Sequence, residues 1–281
     1  MTRLVPALIA CLATAALLTS CATRYPVKTR GMARVRYYEI CHRDIPAAFD
    51  STLVVFASDF HYKSRYRDYR LRQTVATIRR ISPDLLLLGG DYKEGCQNIP
   101  TLFAALGSLD VPMGKLAVMG NNDYETCYDE IAEAMRSNGI TLLEHRNDTI
   151  TRDGSRIIVS GIRNPFDKAN LTSPTLALAD SDFVIMLVHT PDYAEDADIT
   201  HTDLVLAGHT HGGQVTFFGH APVIPSRYGQ RFRTGLRYNS HGTPVIITNG
   251  LGTSSVKLRF CAPSEVVAVR LRHEAKSTAS G

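Results

Sequence analysis

The sequence predicts an α/β fold, and three observations carry this prediction. Short, largely apolar runs alternate along the chain with stretches of helical periodicity, which is the pattern of strand, helix and strand units. The runs are apolar on both faces, as parallel strands are when other layers cover them. Polar side chains that bind metals follow these runs, and the ligand sites of α/β sheets lie beyond the carboxyl ends of the strands.

Five of the apolar runs are predicted to be strands that end at one site. They are Leu53–Ser58, Leu85–Leu88, Leu116–Met119, Phe183–Val188 and Asp203–Ala207. The side chains that follow them, in the same order, are Asp59 and His61, Asp91, Asn121, His189, and His209 with His211. Each alone has an ordinary explanation, since Gly-Asp forms turns and a single histidine more often packs than binds a metal. Because all seven follow strand ends, we expect them to converge in space.

Helical stretches are predicted between these strands. They are Arg70–Ile81, Ile99–Leu109, Tyr128–Asn138 and Pro174–Ala179, and Gly139 is placed as the glycine that ends the third. This alternation predicts parallel order in the first half of the chain. The later strands, predicted at Thr149–Thr151, Arg156–Gly161, Gln214–Phe218, Pro244–Thr248 and Val266–Leu271, indicate a second, more antiparallel half.

The N-terminal residues are predicted to export the protein. Arg3 precedes an apolar segment, Leu4–Leu18, and the following Leu18-Thr19-Ser20-Cys21 resembles a bacterial lipobox. Residues 1–20 are therefore predicted to be a signal peptide, and Cys21 a lipidated N-terminus that anchors the protein in the cell envelope, facing the periplasm or the exterior. An ordinary signal peptide or an uncleaved anchor would export the chain as well.

The remaining chain is divided into a basic tether at residues 21–50, one folded domain at residues 51–273 and a polar tail at residues 274–281. Tyr37 and Tyr38 suggest a short edge strand within the tether. The net charge of +4 over 281 residues gives no nucleic-acid footprint. Four cysteines in the exported part permit one or two disulfides with three possible full pairings, at Cys41, Cys96, Cys127 and Cys261.

The motifs together resemble the calcineurin-like metallophosphoesterase superfamily over residues 53–271. They are Asp59-Phe60-His61, Gly90-Asp91, Gly120-Asn121-Asn122-Asp123, His189 and Gly208-His209-Thr210-His211. Gly212-Gly213-Gln214 and Gly250–Ser254 further resemble the exported or membrane-associated bacterial phosphodiesterase branch. The resemblance implies a four-layer αββα sandwich of two mixed sheets around a dinuclear metal site. It implies one ion bound by Asp59, His61, Asp91 and His211, and a second bound by Asp91, Asn121, His189 and His209.

The residue types agree with this implied site. Carboxylate, imidazole and amide oxygen suit two divalent ions such as Mn, Fe or Zn, and the absence of thiolates argues against a structural zinc site. In this family's chemistry, a hydroxide bridging the two ions attacks phosphorus in line. A nucleophilic side chain is not required.

Asn122 and Asp123 are the candidate catalytic residues beside the metal ligands. The family commonly has histidine where Asn122 stands, close to the leaving-group oxygen. Asparagine can donate a hydrogen bond but cannot deliver a proton, so substrates with good leaving groups are favoured. Asp123 is expected to order the third motif, and Tyr62, Arg65 and Tyr66 to line the substrate pocket. His145, His201, His220 and His241 are the other histidines that could supply an acid, although surface roles are favoured for them.

The predicted function is that of a metal-dependent phosphohydrolase of the cell envelope, a phosphodiesterase or pyrophosphatase in preference to a phosphomonoesterase. One alternative is a lipid-precursor pyrophosphohydrolase of the kind that cleaves UDP-diacylglucosamine, although such enzymes work on the cytoplasmic side. An alternative of another class is a non-catalytic, metal-binding envelope lipoprotein. The predicted partners are a phosphodiester or pyrophosphate substrate, lipid-linked ones included, and a membrane that the lipid anchor reaches.

Overall fold

The computed structural model describes residues 26–27, 34–63, 65–255 and 257–275. The predicted signal peptide, Cys21 and most of the predicted tail lie outside these ranges. The strands in chain order are β1 Pro26–Val27, β2 Arg34–His42, β3 Leu53–Ala57, β4 Leu85–Leu88, β5 Lys115–Ala117, β6 Thr141–Leu142, β7 Arg146–Arg152, β8 Ser155–Gly161, β9 Val184–Val188, β10 Leu204–Ala207, β11 Gly235–Tyr238, β12 Pro244–Ile247 and β13 Glu265–His273. The α-helices are α1 Asp68–Ile81, α2 Ile99–Gly107, α3 Asn121–Glu125, α4 Tyr128–Ser137 and α5 Tyr193–Asp196.

The strands form two mixed sheets, which confirms the predicted α/β class. The first sheet has seven strands in the order β1, β2, β13, β3, β4, β5, β6, and the second has six in the order β11, β12, β10, β9, β8, β7. Strands β3 to β6 are parallel neighbours in the first sheet. Strands β8, β9, β10 and β12 are parallel neighbours in the second.

Three buried clusters separate four layers. One lies between the first sheet and helices α1, α2 and α4, one between the two sheets, and one between the second sheet and α5. In β4, Leu86 and Leu88 face the helices while Leu85 and Leu87 face the other sheet. A strand that is buried on both faces must be apolar at every position, which explains the continuous apolar runs.

Helix α1 shows how a helical segment covers the first sheet. Leu71, Val75 and Ile78, spaced for one helical face, are buried in the cluster beneath it. Asp68 in the first turn complements the positive end of the helix dipole. The helix ends at Ser82, which adopts a left-handed φ of 51°.

The boundary of the predicted tether is wrong, because residues 34–50 belong to the fold. Strand β2 is an interior strand of nine residues that pairs in parallel with β13 along its full length. Its basic character is misleading, since the guanidinium of Arg36 is buried and forms an ion pair of 2.9 Å with the buried Glu265. A charged residue can occupy an interior strand when a partner from another strand neutralises it.

The second half is also less antiparallel than predicted. Antiparallel pairs occur in the second sheet only at its margins, between β11 and β12 and between β7 and β8. The predicted strand Gln214–Phe218 is wrong, since Val215 and Phe217 form only isolated bridges. The fourth predicted helix is a short 3-10 segment, Pro174–Ala177.

One disulfide joins Cys96 to Cys127 among the residues that the structure describes. The sequence permitted this bridge without selecting it. Within the described ranges, the helices are too short or too polar to cross a lipid bilayer.

Candidate metal centre

The metal-binding side chains meet because the parallel strands of both sheets direct their carboxyl ends to the same edge. Ala57, Leu88 and Ala117 are neighbours in register at the ends of β3, β4 and β5. Val188 and Ala207 are paired at the ends of β9 and β10 in the second sheet. The polar residues that follow these positions therefore converge at the edge where the two sheets face each other.

Five of the seven predicted metal ligands have a left-handed backbone. The φ values are 55° for Asp59, 40° for His61, 55° for Asp91, 67° for His209 and 52° for His211. Residues with a Cβ rarely adopt this region, and such strain concentrates at functional sites. The sharp turns direct each side chain away from its strand and towards the centre of the site.

Two glycines allow these loops to approach one another. A Cβ on Gly120 would lie 2.2 Å from Asp91 Oδ1, and a Cβ on Gly208 would lie 2.3 Å from Asp59 Oδ2. Both contacts are far shorter than a van der Waals separation. Glycine is therefore required at these two positions if the carboxylates are to keep their places.

The first cluster contains the four residues predicted to bind the first ion. His61 Nε2 and His211 Nε2 face each other at 3.2 Å. Asp59 Oδ1 lies 3.4 Å from His211 Nε2, and Asp91 Oδ2 lies 3.4 Å from His61 Nε2. All four side chains are buried. Asp59, His61 and His211 place one donor atom each within 4.8 Å of one another, and Asp91 adjoins this group through His61, as ligands of one ion would.

The second cluster surrounds the same oxygen of Asp91. His189 Nε2 lies 3.6 Å from Asp91 Oδ2 and 3.2 Å from His209 Nδ1. Asp91 Oδ2 is thus common to both clusters, as the predicted bridging ligand requires. Asp59 also approaches this cluster, since its carboxylate, that of Asp91 and His189 place one donor atom each within 4.8 Å of one another.

Asn121 supplies a direct test of whether the residues fit a metal. Its Oδ1 is buried and has no hydrogen-bond partner among the described residues. A buried amide oxygen without a donor costs free energy unless a cation or other partner satisfies it. Asn121 is the residue predicted to complete the second cluster, so the donor set fits divalent ions at both positions.

The outer nitrogens of two histidines have partners that orient the rings. His61 Nδ1 lies 3.0 Å from Glu94 Oε1, and His189 Nδ1 lies 2.7 Å from the carbonyl oxygen of Gly89. A proton on Nδ1 that is donated outward leaves the Nε2 lone pair directed at the site. Such partners are typical of histidines that bind metals.

The electrostatics of the cluster follow from burial and from the alternation of acids and imidazoles. Burial raises the pKa of Asp59, whereas the pKa of Asp91 is held well below its usual range because His189 and His61 outweigh the effect of burial. Burial would lower the pKa of His61 and His189, but hydrogen bonds and charge from Asp91 raise both to about 9. Burial lowers the pKa of His209 to about 3.

Asp123 is a positioning residue, and its prediction as a catalytic residue is corrected. Its carboxylate is fully buried and accepts hydrogen bonds from the backbone N–H groups of Gly120, Asp91 and Tyr92 at 2.9, 2.7 and 3.1 Å. Both oxygens are occupied by backbone donors, so they are directed away from any substrate. The carboxylate connects the loops that carry Asp91 and Asn121.

Asn122 lines the cavity beside the two clusters. Its backbone N–H donates to Asp91 Oδ1 at 3.0 Å, and its side-chain Nδ2 donates to Asp91 Oδ2 at 2.7 Å. The amide carries a second N–H. Lys93 Nζ donates to the backbone carbonyl oxygen of Asn122 at 2.7 Å, and this hydrogen bond stabilises the loop.

A cavity of about 390 Å³ opens beside the clusters. Apart from the predicted ligands, its polar lining consists of neutral side chains, Asn122, Thr210, Gln214, Ser254 and Ser255. One wall is apolar and comes from Val215, Pro222, Val223 and Pro225. A neighbouring cavity of about 650 Å³ shares His209 and contains Phe166, whose ring centroid lies 5.0 Å from that of His209.

Other predicted residues lie outside the cavity. Tyr62 is fully buried in the core and donates a hydrogen bond to Asp68, so its predicted place in the substrate pocket is wrong. Arg65 and Tyr66 line a separate basic cavity. The four histidines considered as substitute acids also lie elsewhere. His145 contacts the carbonyl oxygen of Thr172, and His201 contacts the carboxylate of Asp180. His220 contacts Gln230, and His241 lines a pocket beside β2.

Sequence reasoning missed Arg259, which holds three loops of the site together. Its guanidinium is enclosed and donates to the carbonyl oxygens of His211, Asn249, Gly252 and Ala262 at 3.2, 2.7, 2.5 and 3.1 Å. Glu94 was missed as well. An isolated Arg or Glu in a loop gives no local signal, because its role depends on partners from distant segments.

Comparisons with known proteins agree with this geometry. The family model described as calcineurin-like phosphoesterase matches residues 52–213. An uncharacterised metallophosphoesterase, YkuE, of Bacillus subtilis (strain 168) is 31% identical over 238 residues, which span 81% of this chain and 82% of that protein. An uncharacterised metallophosphoesterase of Aquifex aeolicus (strain VF5) is 28% identical over 247 residues, or 85% of this chain and 92% of that protein.

Solved structures resemble the chain more weakly. Phosphopantetheinyl hydrolase of Mycobacterium tuberculosis matches with a TM-score of 0.40 and 14% identity over 57% of this chain and 83% of that one. The nuclease MPE of Pseudomonas putida matches with a TM-score of 0.38 and 14% identity over 87% of this chain and 96% of that one. Because these TM-scores are low, the family assignment depends on the sequence matches.

Proposed function

Since the chain belongs to the calcineurin-like phosphoesterase family and is a metal-dependent phosphoester hydrolase, we propose that it binds two divalent ions and cleaves phosphodiesters or pyrophosphates in preference to phosphomonoesters. Asp59, His61, Asp91 and His211 would hold one ion, and Asp91, Asn121, His189 and His209 the other. Mn, Fe or Zn suits this mixture of oxygen and nitrogen donors. When bound, such ions supply Lewis acidity and lower the pKa of the attacking water.

The lining of the cavity is the observation that carries the preference for diesters. Among the described residues, the only titratable side chains that line it are the predicted ligands. A phosphomonoester dianion is usually held by Arg or Lys, and its poor alkoxide leaving group needs a proton donor. A diester carries one charge less, and a pyrophosphate has a better leaving group, so neither requires these groups.

The chain's own residues then position the substrate. Asn122 donates one amide N–H to Asp91 and has a second that can donate to a phosphoryl oxygen. Gln214, Ser254 and Ser255 offer further neutral hydrogen-bond partners in the lining of the cavity. Asp123 fixes the relative positions of the loops that carry Asp91 and Asn121, because it accepts hydrogen bonds from the backbone of both.

A lipid-linked pyrophosphate or diester is a second candidate substrate. The apolar wall of the cavity, formed by Val215, Pro222, Val223 and Pro225, favours an apolar group next to the phosphorus. An enzyme for UDP-diacylglucosamine-type precursors would need such a wall. The proposed export of the chain argues against this particular substrate and leaves lipid-linked diesters of the envelope.

The catalytic proposal is tested by turnover of bis-p-nitrophenyl phosphate, p-nitrophenyl phosphate and a nucleoside diphosphate sugar by metal-reconstituted protein. We expect kcat/KM to be highest for the diester or the pyrophosphate, and we expect Asp91→Asn to lose activity on all three. Asp153→Asn, in an exposed turn, is the matched control. Faster turnover of the monoester would contradict the preference. Two bound ions without any turnover would instead support the non-catalytic alternative.

The number of ions is tested by elemental analysis. Because Asp91 Oδ2 is common to both clusters, Asp91→Ala should reduce occupancy of both positions, whereas His61→Ala should mainly reduce the first. Two retained ions and normal activity in Asp91→Ala would contradict the ligand assignment. Turnover alone does not replace this measurement, since one ion can support partial activity.

We also propose that the protein is an envelope lipoprotein anchored through Cys21. The lipobox supports this proposal, and Cys21 lies outside the described residues. Labelling with a radioactive fatty acid should mark the wild-type protein in the membrane fraction and should fail for Cys21→Ser. Unlabelled wild-type protein would contradict lipidation, and a wholly cytoplasmic protein would contradict export.

A further inference from the structure

Exposed apolar side chains concentrate on one part of the surface. The described residues expose nine large hydrophobic side chains, and five of them lie on two segments beside the site, namely Phe217, Phe218, Val223, Leu258 and Phe260. We call these five the hydrophobic rim. The rings of Phe217 and Phe260 are in tilted contact, with centroids 5.5 Å apart, and Thr216 N–H donates to the carbonyl oxygen of Phe260 at 2.9 Å. A clustered apolar surface of this kind marks a site of association.

The tip of the rim is a strained turn. Phe217 and His220 exchange backbone hydrogen bonds of 2.8 and 2.9 Å, so only Phe218 and Gly219 form the turn. Their φ values of 50° and 82° are the pattern of a type I′ turn, for which Asn-Gly is preferred. A bulky side chain with positive φ is a steric outlier, and Phe218 is completely exposed. Within the folded chain, packing does not offset this cost, which points to a role outside the chain.

Basic residues flank the rim on one side. Leu258 and Lys257 line a cavity of about 360 Å³ together with Arg65 and Arg70. Arg65, Arg70 and Lys257 are all exposed. Lys257 Nζ lies 3.6 Å from Glu94, which neutralises part of this charge. The surface therefore combines a protruding apolar tip with cations beside it, which is the composition of segments that bind at the interface of an anionic bilayer.

The rim is continuous with the proposed active site. Val223 belongs to the rim and, with Val215, Pro222 and Pro225, also forms the apolar wall of the cavity. Anything that covers the rim consequently lies next to the cavity that contains Asn122 and the predicted metal ligands. A flat partner surface would contact the side of the rim, whereas Phe218 projects from the turn and is suited to penetrate a soft interface.

We propose that the hydrophobic rim docks onto an anionic phospholipid surface, with Phe218 and Phe217 inserted among the acyl chains and Arg65, Arg70 and Lys257 against the phosphate head groups. This contact is additional to any anchor at Cys21. It orients the cavity towards the bilayer. It does not depend on hydrolysis, so it stands independently of the proposed substrate preference.

The test uses a chain that begins at Ala22, which cannot be lipidated and retains every residue that the structure describes. Co-sedimentation is measured with vesicles of phosphatidylglycerol and phosphatidylcholine, and with vesicles of phosphatidylcholine alone. The wild type should bind the anionic vesicles more tightly, and salt should weaken this binding. Phe218→Asn should reduce the partition coefficient at least about tenfold, because burial of one Phe side chain is worth that factor or more.

Phe218→Asn also separates docking from folding. Asparagine is preferred at this turn position, so the Tm of the variant should be equal to or higher than that of the wild type. Leu176→Ser removes an exposed apolar side chain in the 3-10 segment beside β7 and should leave vesicle binding unchanged. Loss of binding in Phe218→Asn with a retained Tm would therefore support the proposal.

Three results would overturn the proposal. They are failure of the wild type to bind anionic vesicles, equal binding by Phe218→Asn, and self-association of the wild type that Phe218→Asn abolishes without any vesicle binding in either protein. The last result would identify the rim as a protein interface. Neither metal nor substrate is needed in the measurement, so an inactive protein could still confirm the docking surface.

Discussion

The carboxylate of Asp123 accepts a hydrogen bond of 2.7 Å from the backbone N–H of Asp91, so a buried acid connects two loops that each carry a predicted metal ligand. Burial, followed by the nearby charge of Asp91, raises the pKa of Asp123 to about 6 despite the backbone donors. The geometry of the second cluster therefore depends on a residue whose carboxylate oxygens both accept hydrogen bonds from the backbone.

The first prediction concerns Asp123→Asn. The replacement places an NH2 group against at least one backbone N–H, either that of Tyr92 or those of Gly120 and Asp91, so we expect the free energy of unfolding in urea to fall by roughly 1 to 3 kcal/mol. We also expect lower occupancy of the second ion, because the loop that carries Asn121 loses its tie to Asp91. Urea unfolding and elemental analysis measure the two effects, with Asp153→Asn as control. Normal stability and full metal content would contradict the positioning role.

The second prediction concerns Asn122→His, which restores the residue common in the family. The wild type should show kcat/KM values that fall steeply as the pKa of the leaving group rises, since no proton donor besides the ligands lines the described cavity. The variant should show a shallower dependence and faster monoester turnover if the imidazole reaches the leaving oxygen. General-acid help is typically worth about 10²- to 10⁴-fold, which sets the largest gain to expect.

A series of aryl diesters and monoesters provides the measurement for both proteins. Asn122→Gln is the control, because it keeps the amide and changes only its reach. A shallow dependence in the wild type would show that another group already serves as the acid.

The third prediction concerns the pH dependence of metal binding. In the metal-free protein the pKa values of His61 and His189 are about 9, above the value of about 6.5 for an unfolded chain. Their protonation therefore stabilises the metal-free fold fully below pH 6.5, and this contribution is lost as the pH rises through 9. His209, with a pKa of about 3, does not titrate in this range.

A metal must displace these same protons, so its affinity should increase over the same range. We expect the difference in Tm between metal-loaded and EDTA-treated protein to widen from pH 6.5 to pH 9. Thermal unfolding at constant ionic strength measures it. A difference that is constant or narrows with pH would contradict the assigned ligands.

The fourth prediction concerns the disulfide between Cys96 and Cys127. The bridge spans 31 residues, for which the loss of chain entropy in the unfolded state corresponds to about 4 kcal/mol. The double variant Cys96→Ser/Cys127→Ser should lose up to this amount of unfolding free energy, and its metal occupancy should fall, because the bridge joins the segments that follow Asp91 and Asn121. Cys261→Ser, at an exposed position, is the control. Equal urea midpoints would show that the bridge does not stabilise the domain.

The strands, and the convergence of the side chains that follow them, could be predicted from the sequence because both depend on local signals. A strand buried on both faces is apolar throughout, and the residues at its end are adjacent in the chain, as with Ala207 and His209. Asp91 was predicted to be shared by two ions, and its Oδ2 does lie between the two clusters. These inferences needed only the order of motifs and the rule that parallel strands end at one edge.

The features that could not be predicted from the sequence depend on partners from distant segments of the chain. The basic composition of residues 21–50 indicates a tether, whereas the charge of Arg36 in β2 is neutralised by Glu265, which lies in the last strand. Arg259 and Glu94 have the same character, since neither has a motif and each acquires a role only against His211 or His61. The pairing of Cys96 with Cys127 also required the folded arrangement.

The position of β13 between β2 and β3 has a consequence for the order in which the molecule is assembled. The N-terminal strand β2 has its long parallel partner only in the last strand, so the first sheet cannot close until that strand has been synthesised. Contacts of such large sequence separation form slowly and favour late, cooperative completion. A polypeptide emerging from the ribosome would therefore keep its first sheet incomplete until synthesis of β13, a delay that would be compatible with the proposed export.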